Sequence, residues 1–188
     1  MSHPTADPLL ALLRERSFAR RPVTLSSGAT SDWFIDCKQA VLSAAGHAHV
    51  GERMFEAAMG FAERPIAVAG VELGGCPLAS AVALRSFEAG QPIDAVYVRK
   101  AAKEHGSARR IEGDDHLPKD APVVVVEDVI TTGGSTLRAI ETLRARPFRV
   151  VGVVALVDRG ESNGRANLES AGVPVVALYG RADFMGAM

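Results

Sequence analysis

The 188-residue chain is 47% apolar and 23% charged, which suits one compact domain with its own core and excludes a low-complexity or fibrous protein. Its 21 basic and 22 acidic residues leave a net charge of −1, so no global basic field favours a nucleic-acid backbone. The two cysteines, Cys37 and Cys76, form no CxxC pair and no disulfide framework, which fits a reducing, cytoplasmic setting; the N-terminus has no secretion-signal pattern, and no run reaches the roughly 18 apolar residues of a membrane helix.

Along the chain, DPLLALLRER (7–16) reads as a short amphipathic helix with Leu9, Leu12 and Leu13 on one side. RPVTLSSGATSDWFIDCK (21–38) reads as a hairpin, with short β-type runs around the turn SSGATSD. From Gly46 to Ala62 the apolar residues Val50, Met54, Ala57, Ala58 and Phe61 keep helical spacing. PIAVAG (65–70) is a buried strand, CPLASAVALRSFEAG a helix closed by Gly90, and PIDAVYVR (92–99) a strand. Residues 100–120 turn charged and aperiodic, as an exposed hairpin or a loop would. Then follow the strand VVVVE, the helix STLRAIETLRA, the strand RVVGVVALVD (149–158), a polar stretch with room for a short helix (160–172) and the strand PVVALY (174–179). Strands that alternate with helices and are apolar on both faces predict an α/β domain with a mainly parallel sheet covered on both sides, and the N-terminal hairpin as a separate small cap.

In such sheets ligands bind beyond the carboxyl ends of the strands. VVVVEDVITTGGST (123–136) places Glu127 and Asp128 at such an end, directly before a loop of small residues that opens a helix. Backbone N–H groups at a positive helix end suit a phosphate, and the hydroxyls of Thr131, Thr132 and Ser135 add donors. The acids suit sugar hydroxyls or a hydrated divalent cation. Strand, acid pair and cradle together point to a phosphorylated sugar; the plain alternative for the loop is a helix N-cap supplied by Ser135 or Thr132. A P-loop ATPase is excluded, because no GxxxxGK[ST] segment exists, and no GxGxxG follows a strand. His47 and His49 are read as solvated, since two histidines alone rarely make a metal site.

The run of four apolar residues, two acids, two variable positions and Thr-Thr-Gly-Gly-Ser resembles the phosphoribosyl-diphosphate signature of type I phosphoribosyltransferases. VRKAAKEHG (98–106) is similar to the catalytic lid of the orotate phosphoribosyltransferases, and TLSSGATSDWFIDCK (24–38) to their substrate hood. GVELGGCPLASAVAL and ALVDRGES resemble the same family. The resemblance implies a single type I phosphoribosyltransferase domain over 1–188: an N-terminal helix and hood (1–45), then an α/β core (46–188) carrying a lid at 100–120. It implies transfer of phosphoribosyl from the diphosphate to orotate, giving orotidine 5′-phosphate and diphosphate in pyrimidine synthesis. On this resemblance the segment Glu127, Asp128, Val129, Ile130, Thr131, Thr132, Gly133, Gly134 and Ser135 holds the ribose phosphate, with the two acids on the ribose hydroxyls. Arg99, Lys100, Lys103 and His105 surround the diphosphate, and Lys103, His105 and Asp128 are the catalytic candidates. Arg159 pairs its planar fork with the orotate carboxylate, and Phe34 stacks on the pyrimidine; Trp33 is read as core packing of the hood. Magnesium is carried mainly by the diphosphate, with no dedicated protein metal site, and a homodimer shares the lid between subunits.

Two departures stand out. Where some orotate enzymes carry a lysine in the hood turn this chain has Ser26, and the loop Leu73-Gly74-Gly75 likewise lacks one. Two alternatives remain at this level: a phosphoribosyltransferase for a neutral base, which would give Arg159 no carboxylate, and a nucleic-acid-binding regulator, which the net charge of −1 disfavours.

Overall fold

The computed structural model describes residues 7–24, 28, 30–101 and 109–186. In chain order the elements are α1 (Pro8–Arg16), β1 (Phe18–Ala19), β2 (Val23–Thr24), β3 (Thr30–Ser31), β4 (Phe34–Ile35), α2 (Lys38–Val41), α3 (Ala44–Met59), β5 (Ala67–Val71) and α4 (Gly75–Glu88). They continue as β6 (Asp94–Val98), β7 (Ile111–Glu112), β8 (Pro122–Ile130), α5 (Gly134–Ala145), β9 (Arg149–Asp158), α6 (Gly164–Ser170), β10 (Val175–Gly180) and α7 (Arg181–Met185).

Six strands form the central sheet in the order β10-β9-β8-β5-β6-β7, parallel throughout except for β7 at one edge. The valine runs explain its double burial. Val124 and Val126 of β8 pack with α3 and α4 on one face, while Val123 and Val125 pack with α5 and α6 on the other. Alternation of side chains along a strand makes both faces apolar only when every residue is apolar, and that is the case here. Two helices begin on side-chain caps: Asp7 accepts from the N–H groups of Leu9 and Leu10, and Ser43 from that of Gly46.

The expected hairpin exists as two ribbons, β1 with β4 and β2 with β3, both antiparallel and outside the central sheet. It is not a separate cap, however. Trp33, Ile35 and Cys37 belong to the same core cluster as Leu9, Leu13 and Phe184. Trp33 is fully buried and stacks on Phe184 at 5.7 Å between ring centroids, so its packing role holds. The C-terminal segment, which carried no signal in the sequence, supplies Phe184 through α7 and ties Arg181 to Asp32 of the hood at 2.7 Å. The segment after β6 returns as the antiparallel strand β7, closed by a bond from Arg99 N–H to the Arg110 carbonyl at 2.8 Å. Among the described residues no helix is long and apolar enough to cross a membrane.

Candidate active site

Strand β8 runs four residues beyond its run of four valines, so Glu127 and Asp128 lie on the strand rather than after it. Thr131 to Gly133 then turn into α5. Gly133 sits at φ +75°, a left-handed conformation that glycine adopts without strain, and caps α5 with no side chain. A Cβ at Gly133 would also press on the Gly164 carbonyl at 2.9 Å. Thr132 Oγ1 accepts from Gly134 N–H at 3.3 Å, which is a share of the plain N-cap role. Asn167 of α6 donates to the Thr132 carbonyl at 3.0 Å and braces the loop from behind.

This loop opens onto a cavity of about 260 Å³ lined by the acids Glu72, Glu127 and Asp128, the lysines Lys38 and Lys100, and Val129, Thr131, Thr132, Gly133, Gly134 and Ser135. Ile130, by contrast, is 1% exposed and packs in the core under α5 and α6; only its carbonyl reaches outward, accepting from Arg159 N–H at 3.1 Å. Its alternating position on the strand turns it away from Val129 and the cavity. Arg99 does not line this cavity: its guanidinium lies 3.6 Å from Glu112 across the β6–β7 pair.

Glu127 is a buried acid, not a solvated one. It is 6% exposed and accepts from Thr136 Oγ1 at 2.9 Å. Burial, and then the neighbouring Asp128 carboxylate, push its pKa well above the ordinary glutamate value. The folded state therefore holds a proton that the unfolded chain has already released as pH rises past 4.5, the ordinary value. The folded state binds more protons in that window, so stability falls as pH rises through it. Glu127→Gln, which can keep the Thr136 bond, is expected to flatten this fall in denaturant unfolding measured from acid to alkaline pH. An unchanged slope would mean that Glu127 is ionised in the folded protein.

A second cavity of about 570 Å³ adjoins the first, sharing Lys38, Asp128, Val129 and Thr131 and adding Arg21, Phe34, Asp36 and Arg159. Phe34 is half-buried, with the Arg21 guanidinium 4.6 Å above its ring. Arg159 is 3% exposed. Its Nε donates to Glu161 at 2.9 Å, its Nη2 donates to Ser31 Oγ at 2.8 Å and to the Trp33 carbonyl at 2.9 Å, and the plane lies 4.3 Å from the Trp33 ring. The fork expected for a substrate is thus half committed to the hood, leaving Nη1 without a hydrogen bond to a described residue. Glu161 gathers this brace. It also accepts from Ser31 Oγ at 2.8 Å and Trp33 Nε1 at 3.0 Å. Burial alone would raise the Glu161 pKa, but the donors Arg159, Ser31 and Trp33 outweigh it and hold it below the usual range.

Ser26, Lys103 and His105 lie outside the described residues.

The phosphoribosyl transferase domain model matches residues 41–168. An orotate phosphoribosyltransferase of Sorangium cellulosum is 60% identical over 179 residues, covering 95% of this chain and 92% of that protein. The chain belongs to the orotate phosphoribosyltransferase family. The crystal structure of the Mycobacterium tuberculosis member in complex with Fe(III) dicitrate superposes with a TM-score of 0.80 at 36% identity, covering 95% of this chain and 97% of that one. The same enzyme in complex with 5-phospho-α-D-ribosyl 1-diphosphate superposes with a TM-score of 0.75 at 30% identity, covering 98% and 93%. The type I phosphoribosyltransferase fold and its mainly parallel sheet are thereby established.

Within this family site, three side chains escaped the sequence reading, and a fourth residue was named there without its role. Lys38 and Glu161 have partners far away in sequence, Asp128 for the first and Ser31, 130 residues distant, for the second, while Arg21 meets the Phe34 ring within the hood. Gly74 is the fourth. A Cβ there would fall well inside van der Waals contact with the Asp128 carboxylate. The bare loop Leu73-Gly74-Gly75 thus makes room for an acid rather than supplying a cation. Gly74→Ala is expected to turn Asp128 aside and lower kcat about 100-fold, the scale of a displacement of about 1 Å, with the melting temperature held within a few degrees. Full activity in this variant would mean that the position of Asp128 is not critical.

Proposed function

We propose that this chain transfers the phosphoribosyl group of 5-phosphoribosyl 1-diphosphate to orotate, giving orotidine 5′-phosphate and diphosphate in the synthesis of pyrimidine nucleotides. The observation that carries this reading is the junction of two cavities: a phosphate cradle with an acid pair, and a base pocket holding Phe34 and Arg159, joined through Asp128, Val129 and Thr131. The bond from C1′ to the diphosphate oxygen breaks, the bond from C1′ to N1 of the base forms, diphosphate departs with the electron pair, and the N1 proton is released to solvent or to the diphosphate. Positive charge builds on the ribose and negative charge on the leaving group, so positioning and charge complementarity supply most of the acceleration.

In this reading the N–H groups opening α5 and the hydroxyls of Thr132 and Ser135 take the 5′-phosphate. Asp128, with Glu127 behind it, receives the ribose hydroxyls. Lys100 faces the diphosphate, joined by Lys103 and His105 of the lid; an imidazole there can take or give a proton. Arg159 receives the base carboxylate, and Phe34 offers its ring face once Arg21 yields it.

Among the described residues no group of three or more metal-ligating side chains exists, while Asp128 and Glu72 border the cavity as hard oxygen donors. That donor set fits magnesium held mostly by substrate oxygens, with these carboxylates directly or through water. When bound, magnesium neutralises diphosphate charge. The exposed Leu84 and Phe87 of α4, at 58% and 75% exposure, support a homodimer contact on that helix. Two free cysteines, Cys37 buried and Cys76 partly so, support a reducing cytoplasmic setting.

The test is the ultraviolet absorbance of orotate with the purified protein. Loss of the orotate signal that requires phosphoribosyl diphosphate and magnesium is expected. Retained signal, alongside turnover of a purine or uracil, would move the chain to another base.

A further inference from the structure

This chain lacks two lysines that some orotate enzymes carry near the base. Ser26 and the Leu73-Gly74-Gly75 sequence bring none, and Arg159 has two of its three nitrogens already bound, Nε to Glu161 and Nη2 to Ser31 and Trp33 of the hood. One lysine borders both cavities. Lys38 opens α2, is 38% exposed, and lies 2.6 Å from Asp36 Oδ1 and 4.0 Å from Asp128 Oδ2. Its ammonium therefore stands at the seam where ribose and base must meet. Orotate bears its carboxylate on the ring carbon next to the nucleophilic N1, so in the reacting geometry that carboxylate lies beside the new bond, at the same seam.

We propose that Lys38 is a substrate-binding residue that pairs with the base carboxylate at the junction of the two cavities, sharing that anion with Arg159. The inference rests on the orotate reading given above. The hydrogen bond to Asp36 raises the Lys38 pKa, and the Asp128 charge adds to this, so the cation persists across the working pH range. Lys38 also offsets an imbalance. With Glu127 protonated, the ribose cavity sets the carboxylates of Glu72 and Asp128 against Lys100, and without Lys38 it would disfavour anionic substrates. Exchange of one partner for another suits a lysine, a compact charge on a flexible stem. Asp36 holds the ammonium in the free enzyme, and the substrate carboxylate takes it over.

Steady-state kinetics of Lys38→Gln and Asp36→Asn, with melting curves for both, test this. Lys38→Gln is expected to raise the KM for orotate about tenfold or more, with the KM for phosphoribosyl diphosphate within about threefold of the parent, and Lys38→Arg to restore part of the loss. Asp36→Asn, which frees the ammonium, is expected to leave the orotate KM unchanged or lower it. An unchanged orotate KM in Lys38→Gln would overturn the assignment. So would equal losses in both variants, with both KM values and the melting temperature shifted, because that pattern belongs to a structural ion pair. Absence of orotate turnover by the parent would overturn the orotate reading, and the assignment with it.

Discussion

Arg159→Ala is expected to lower kcat/KM for orotate about 100-fold or more while leaving the KM for phosphoribosyl diphosphate within about threefold. A buried charge-assisted contact is worth roughly 2–3 kcal/mol, and 1.4 kcal/mol is a factor of ten. The same substitution should cost stability, because Glu161 loses its guanidinium partner and Trp33 its stacked cation. Breaking a buried pair costs about 3–5 kcal/mol, and the low end applies here because Ser31, Trp33 and Arg181 still donate to Glu161. For a chain of this size about 3 kcal/mol lowers the melting temperature by about 10 °C. Assay well below the lowered transition separates the two effects. A stability loss with orotate kinetics intact would make Arg159 a hood brace and nothing more.

The second large effect is expected at Lys103, in the segment that the family resemblance assigns to the lid. Lys103→Ala is expected to lower kcat by about 100- to 1,000-fold, the scale of removing one preorganised charge from a transition state that builds negative charge on diphosphate. The melting temperature should stay within a few degrees, since a charged, aperiodic segment contributes little to a core. Differential scanning fluorimetry beside rapid-quench kinetics checks both. A large drop in melting temperature would give Lys103 a structural task instead.

The parts of the fold legible in the sequence were those with dense local signals. The valines of β8 announce a strand buried on both faces, and the small-residue loop after Asp128 announces an anion cradle at the start of α5. Residues whose meaning comes from remote partners were not legible. Ile130 sat inside the signature, yet strand alternation turns its side chain into the core. Arg159 looked like an uncommitted fork at a strand end, but Ser31 and Trp33, about 130 residues away, claim half of it. The four-residue helix α2 has no room for a period, so Lys38 carried no signal despite its position between two cavities. The C-terminal segment was equally silent, because Phe184 gains meaning only against Phe18 and Trp33.

The most direct test of the account is a crystal structure of this protein with orotidine 5′-phosphate. The account predicts the 5′-phosphate on the Thr131–Ser135 loop, the ribose hydroxyls at Asp128, the pyrimidine on Phe34 and its carboxylate between Arg159 and Lys38. A nucleotide whose phosphate occupies the loop while its carboxylate faces solvent, away from Arg159 and Lys38, would contradict it.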